Sequence, residues 1–264
     1  MGRRQDVLAA QSADLEARRR LLEAEPLPNC IGDLLDEAAA AAPDHLAWSF
    51  FESGEHATYR EVKSAVNRLA NGLRSMGLRK GGHVAVMLPN VAAMPTTWLA
   101  LARLGAVMAP VNVSYTAREL EYVLTDSDAD FLVIHSEYLP VLLGLAALPS
   151  RISPERVIVV GGGGAEGSVD WAAILEGESE EFVASDEVAL DDLMNIQYTS
   201  GTTGFPKGCM LSHRYWLVLA RVQGSHDGRV YKRALAANPF FYMTPQWLLL
   251  MVFFSRGTLF VARR

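Results

Sequence analysis

The chain has 264 residues, half of them apolar and a fifth charged, and a formal net charge of −6. That length buries a substantial core in one or two domains, and the acidic balance, with no basic block beyond short clusters such as Arg18-Arg19-Arg20, leaves no general field for nucleic acid or anionic lipid. The two cysteines, Cys30 and Cys209, lie far apart without metal-ligand spacing, which excludes a disulfide framework or zinc site and reads each as a small buried filler in a reducing compartment.

Asp6, Asp14, Glu16 and Glu23 near the start fit neither a signal nor a transit peptide. Asp6 stands where a myristoylation motif wants Ser or Thr, and the apolar run at 247–254 is far below the roughly 20 residues needed to span a bilayer. A cytoplasmic protein without a membrane span is expected.

Residues 7–25 have helix composition, with Leu8, Leu15 and Leu22 spaced by seven before Pro26 and Pro28 break it. Three leucines make a weak heptad, so the expectation is a helical extension over 1–26 lying against the domain surface. A helix at 33–42 stops at Pro43, and a short strand at 46–51 leads through Ser53-Gly54 to 57–59. Thr58 and Glu61 form a capping box for a helix carrying Val62, Val66, Leu69, Leu73 and Met76, closed by Gly77.

Then follow an apolar strand at 83–88, a helix around 95–104 ended by Gly105, an apolar strand at 106–111, a second capping box of Thr116 and Glu119, and an apolar strand at 131–134. Nearly continuous apolar strands alternating with helices predict an α/β fold: layered, mostly parallel sheets flanked by helices. A helix at 139–148 and a strand at 156–160 run into Gly161 to Gly164. Gly162, Gly164 and Gly167 formally satisfy GxGxxG, with Asp186 or Glu187 near the distance of a ribose-binding acid. Four consecutive glycines satisfy such patterns easily, and no good second strand follows before Asp192, so a surface turn is expected. A polar loop at 185–192 leads to a strand at 193–198. Ser212 caps a helix through Trp216, Leu217, Leu219, Ala220 and Val222, followed by a strand at 233–237, an apolar helix at 245–254 and a strand at 258–262.

Between the strand at 193–198 and the helix after Ser212 lies Tyr198-Thr199-Ser200-Gly201-Thr202-Thr203-Gly204-Phe205-Pro206-Lys207-Gly208. Its glycines let backbone N–H groups turn inward as an anion nest. The hydroxyls of Thr199, Ser200, Thr202 and Thr203 add donors, and Lys207 adds a point charge suited to phosphate. A loop between a strand's carboxyl end and a helix start is where open α/β sheets bind ligands. The Walker pattern fails, because Pro206 precedes the lysine and Gly208 follows it where a Ser or Thr would hold Mg²⁺. A ligand-free surface loop is the bland alternative, opposed by the density of donors, the lysine and the flanking elements. The loop's task would be to grip and orient a polyphosphate.

YTSGTTGFPKG resembles the signature loop of the adenylate-forming superfamily, which includes acyl-CoA synthetases, firefly luciferase and the adenylation domains of peptide synthetases. Ala57-Thr58-Tyr59-Arg60-Glu61-Val62 resembles its LTYxEL element, the run from Leu101 to Asn112 its LKAGAxYVPxx element, and Asn238-Pro239-Phe240-Phe241-Tyr242 its PxFH element, all in family order. The resemblance implies ATP- and Mg²⁺-dependent activation of a small-molecule carboxylic acid to an acyl-adenylate, then transfer to coenzyme A. It implies that Thr199, Ser200, Gly201, Thr202, Thr203 and Gly204 wrap the phosphates and that Lys207 assists pyrophosphate departure as the catalytic residue. Tyr242 falls at the acyl pocket, where it either touches substrate or packs with Phe240 and Phe241. The surroundings of the loop and the segment 239–246 are similar to the crotonobetaine or carnitine-CoA ligase branch, favouring a short or medium acyl acid, with a long-chain fatty acid or an aryl acid left open.

The family's adenine-binding YGxTE element, its ribose-holding acid and the lysine of its C-terminal domain find no counterpart in the 264 residues. Residues 27–264 are therefore expected to be the N-terminal portion of the AMP-binding domain, the isolated chain a poor catalyst. A different nucleotide hydrolase and a non-catalytic scaffolding fragment are the competing classes.

Overall fold

The apolar strands in the middle of the chain owe their composition to burial on both faces of one sheet. A computed structural model describes residues 16–17, 19–22, 24–199, 206–225 and 227–263. The expected heptad begins outside them; the described residues from 16 to 24 are helical. The seven-stranded sheet has the order β7 (Val169–Asp170), β6 (Val157–Val160), β5 (Phe131–His135), β3 (His83–Met87), β4 (Val107–Pro110), β8 (Leu193–Thr199), β9 (Lys207–Ser212). All its pairings are parallel except the last, β8 with β9. A second sheet orders β10 (Arg233–Ala236), β11 (Thr258–Val261), β1 (Leu46–Phe50) and β2 (Glu55–Thr58), antiparallel only between β1 and β2.

Alternation along each strand divides the core in two. Val84, Val86, Phe131, Val133 and Ile158 face the larger core, shared with the second sheet and the helices α1 (Ile31–Ala41), α2 (Tyr59–Ser75), α3 (Ala93–Leu104), α7 (His213–Ser225) and α8 (Met243–Ser255). Ala85, Met87, Leu132, Ile134, Val157 and Val159 face a smaller core closed by α4 (Ala117–Asp126) and the short α5 (Leu139–Leu143). Both expected capping boxes form: Thr58 with Glu61 opens α2, and Thr116 with Glu119 opens α4. Gly105 closes α3 in the left-handed conformation that glycine adopts without a Cβ penalty. No helix among the described residues is long and apolar enough to cross a membrane.

Three expectations are corrected. The helix at 139–148 stops at Leu143, where a Cβ on the following Gly144 would lie 3.2 Å from the Ala117 methyl at the start of α4. The glycine run after β6 is an exposed turn with positive φ at Gly161, Gly162 and Gly163, but β7 and the short helix α6 (Trp171–Leu175) follow it where only coil was expected. Of the cysteines, Cys30 is buried as expected, whereas Cys209 is exposed, because β9 closes the edge of the sheet and its first four residues are uncovered.

Helices α2 and α6 meet at Gly72, where a Cβ would come within 2.3 Å of the Ile174 side chain and 2.7 Å of its carbonyl oxygen. The approach is set by backbone, so Gly72→Ala forces the helices apart; a loss of about 1–3 kcal/mol in chemical denaturation is expected.

His213, the first residue of α7, is fully buried, and its Nδ1 accepts the Ile31 N–H at the open end of α1 at 3.2 Å. Burial holds its pKa down to about 4, against a smaller opposing pull from Asp192. The folded state thus keeps the imidazole neutral while the unfolded chain protonates it near the ordinary histidine value of 6.5. The stabilisation is complete above that pH and is lost as pH falls toward about 4, on the order of 3 kcal/mol in all. Melting curves across this window should fall less steeply for His213→Gln than for the native chain.

Candidate functional site

The expected loop does not join a strand directly to a helix. Lys207 to Ser212 form β9, which returns antiparallel along β8 before α7 begins, so the loop is the tip of a hairpin. This removes the helix N-terminus from the proposed phosphate grip, and α7 is capped instead by the Ser212 hydroxyl, which accepts the Tyr215 N–H at 3.3 Å. Ser200, Gly201, Thr202, Thr203 and Gly204 lie outside the described residues. Their two flanks are described: Thr199 pairs with Lys207, and the Thr199 hydroxyl donates to the Lys207 carbonyl at 3.5 Å. Lys207 is exposed and its ammonium makes no ion pair among the described residues.

Glycine is required next to that lysine. Gly208 stands opposite Tyr198, and a Cβ there would come within 2.6 Å of Ile196 Cγ2 and 3.4 Å of the Tyr198 ring. The residue that departs from the Walker pattern is thus fixed by the side chains lying across the hairpin.

A buried chain of amides holds the hairpin stem to the segment Asn238 to Tyr242. Trp98 Nε1 on α3 donates to Asn195 Oδ1 at 2.9 Å, and Asn195 Nδ2 on β8 donates to Gln246 Oε1 at 3.0 Å. Gln246 Nε2 donates to the carbonyls of Phe240 at 2.9 Å and Tyr242 at 3.2 Å, and Gln197 Nε2 donates to the Phe241 carbonyl at 2.7 Å. Asn90, just beyond β3, accepts the Phe240 N–H at 2.8 Å and donates to the carbonyls of Asn238 and Ala262 at 3.2 and 2.8 Å. Asn195 and Gln246 are wholly buried. None of these amides was singled out in the sequence. Their signal is there, as lone Asn and Gln residues inside apolar runs (LMNIQY, TPQWLLL), since a buried amide persists only where partners satisfy it.

Tyr242 meets the packing half of its expected description. Phe240 and Phe241 are buried, while Tyr242 packs against Phe241 with ring centroids 4.4 Å apart and remains 50% exposed. Tyr115, in the turn after β4, lies close enough that Tyr242 contributes to its raised pKa, after the larger effect of burial. At the carboxyl ends of β1, β3, β5 and β11 a cleft of about 270 Å³ opens, lined by Glu52, Asn90, His135, Tyr138 and Arg263 among others. Hairpin tip, Tyr242 and cleft all follow the carboxyl ends of strands, where α/β sheets place ligands. Among the described residues no group of three His, Cys, Asp or Glu side chains is placed to hold a metal ion.

Comparison with known proteins places this geometry. A family model described as AMP-binding enzyme matches residues 35–264. A putative acyl-CoA synthetase, YngI, of Bacillus subtilis is 35% identical over 215 residues, covering 72% of this chain and 38% of the relative. A feruloyl-CoA synthase of an Amycolatopsis species is 36% identical over 194 residues, covering 72% of this chain and 35% of the relative. The crystal structure of a long-chain-fatty-acid-CoA ligase from Archaeoglobus fulgidus superposes with a TM-score of 0.78 at 29% identity, over 90% of this chain and 48% of that one. The chain therefore spans little more than a third of the length of these curated relatives. They do not single out the crotonobetaine and carnitine branch.

Gln246→Leu keeps the volume but leaves the Asn195 amide and two carbonyls without their buried partner. A loss of roughly 2–4 kcal/mol in denaturant unfolding is expected, and Trp98, which hydrogen-bonds Asn195, should report it as a shifted emission maximum.

Proposed function

The chain belongs to the AMP-binding enzyme family of adenylate-forming proteins, and we propose that it supplies the phosphate-gripping part of an acyl-CoA synthetase. The reaction is ATP-dependent activation of a carboxylic acid to an acyl-adenylate with release of pyrophosphate, followed by thioester formation with coenzyme A. One observation supports this reading above the rest: Gln197, within the hairpin stem, holds the Phe241 carbonyl at 2.7 Å, tying the phosphate-loop stem to the segment that presents Tyr242. A grip for the leaving phosphates and a candidate wall of the acid pocket are thereby built on one buried frame.

In this reading Thr199, Ser200, Gly201, Thr202, Thr203 and Gly204 donate to the β- and γ-phosphate oxygens. The Lys207 ammonium, at the other flank of the tip, neutralises charge that builds on pyrophosphate as it departs. The half-exposed Tyr242 contacts the acid. Mg²⁺ bound with the nucleotide would offset the charge of the phosphates that the loop hydroxyls and Lys207 grip. The names of the relatives range from acyl-CoA to feruloyl-CoA synthase, and we assign the substrate here only as a carboxylic acid.

Carboxylate-dependent exchange of pyrophosphate into ATP, by the protein that contains this chain, is the expected activity. Lys207→Ala should lower the exchange rate on the order of a hundredfold while leaving the fold intact by circular dichroism. Hydrolysis of ATP independent of any acid would instead identify a nucleotide hydrolase and sink the proposal.

A further inference from the structure

The outer half of the β8–β9 hairpin lacks the support its inner half enjoys. Among the described residues the ladder between β8 and β4 is confined to the pairing of Met108 with Asn195. In that parallel register β4 ends at Pro110, beside Gln197, so Tyr198 and Thr199 with their partners Gly208 and Lys207 extend past β4 as a two-stranded ribbon, and such a ribbon is marginal on its own. Side chains must hold it. Successive residues of a strand point to opposite faces, and here consecutive residues clamp the ribbon from both. On one face Gln197 donates to the Phe241 carbonyl. On the other, Tyr198 donates its hydroxyl to Asp126 Oδ2 at 2.7 Å.

Asp126 is the last residue of α4, whose far end is fixed by the Thr116–Glu119 capping box and whose apolar side, Leu120, Val123 and Leu124, is buried in the smaller core. The carboxylate is itself oriented, because Tyr122, one turn back on the same helix, donates its hydroxyl to the other oxygen at 3.3 Å. The Tyr198 ring packs against that core and lies over Gly208 on the partner strand. Its hydroxyl thus leaves an apolar bed and ends on an anion.

We propose that Asp126 is a positioning residue for the phosphate-gripping loop: through Tyr198 it fixes the hairpin stem and so the two residues, Thr199 and Lys207, that flank the loop. The proposal rests on the functional reading above and adds to it a residue 73 positions before the loop. Burial, with Asp126 beside it, raises the Tyr198 pKa above the usual phenol range, so the hydroxyl is a donor at neutral pH. The link is a charge-assisted hydrogen bond, stronger than one between neutral groups.

The test uses Tyr198→Phe, which removes the hydroxyl and keeps the ring, Asp126→Ala, and the double variant. In the unliganded chain, amide hydrogen exchange across 196–210 should quicken roughly tenfold in each single variant and no further in the double, as coupled partners require. In carboxylate-dependent pyrophosphate exchange, each single variant should lose ten- to hundredfold in kcat/KM for ATP, with KM for the acid unchanged. Tyr122→Phe, which leaves the Tyr198 bond in place, should lose less than Asp126→Ala. Native amide exchange in Tyr198→Phe, additive losses in the double variant, or an unchanged kcat/KM for ATP would each overturn the proposal. A native protein without pyrophosphate exchange would count against the functional reading, and the amide-exchange arm would still decide whether Asp126 holds the stem.

Discussion

The bond from Asn195 to Gln246 is the constraint on which the site depends. It lies in the larger core, with both amides wholly buried, and a buried amide is tolerated only when its donors and acceptor are met. Satisfying both fixes several elements at once. Trp98 brings in α3, Asn195 brings in β8, and Gln246 brings in the first turn of α8 together with the carbonyls of Phe240 and Tyr242. An apolar core of the same volume would allow these elements to slide by a fraction of a residue; directional bonds do not. The hairpin stem and the segment carrying Tyr242 therefore hold one relative position, as the proposed reaction between a phosphate chain and a carboxylate would require.

The same frame joins the two sheets. Asn90 leaves β3 of the seven-stranded sheet and bonds the carbonyl of Ala262 after β11, as well as Asn238 and Phe240. Tyr59, at the start of α2, donates to the carbonyls of Val252 and Gly257 at 3.2 and 2.8 Å, tying α2 to the C-terminal end of α8. These bonds run between residues more than 140 positions apart in the chain, and the site at the carboxyl ends of the strands exists only once they are made.

Much of the fold is legible in the order of residue types. The capping boxes at Thr58 and Thr116, the closing glycine at 105 and the nearly uniformly apolar strands β3, β5 and β6 each follow from local chemistry, and each stands where the sequence places it. Strand β9 is not legible in this way. Lys-Gly-Cys-Met-Leu-Ser has neither alternation nor β-branched residues, and it is extended because β8 offers it a ladder, a tertiary cause. Read without β9, the loop adjoins a helix N-terminus from which β9 in fact separates it, and Cys209 is buried where the uncovered edge strand leaves it exposed.

Sequence by itself determined the class of the fold, the family membership that the match over 35–264 bears out, and the identity of the loop as a cluster of donors with one lysine. These depend on residue type and short spacing, which the chain carries before it folds. Only the tertiary structure decided that β8 and β9 form a hairpin about the loop, that Gly208 lies against Ile196 and Tyr198, and that Asn195, Gln197, Gln246 and Asp126 bond around its stem. The reason is physical: an amide or a carboxylate has no preferred partner in the sequence, and its role is set by which orphaned donor or acceptor the packed elements bring within 3 Å of it.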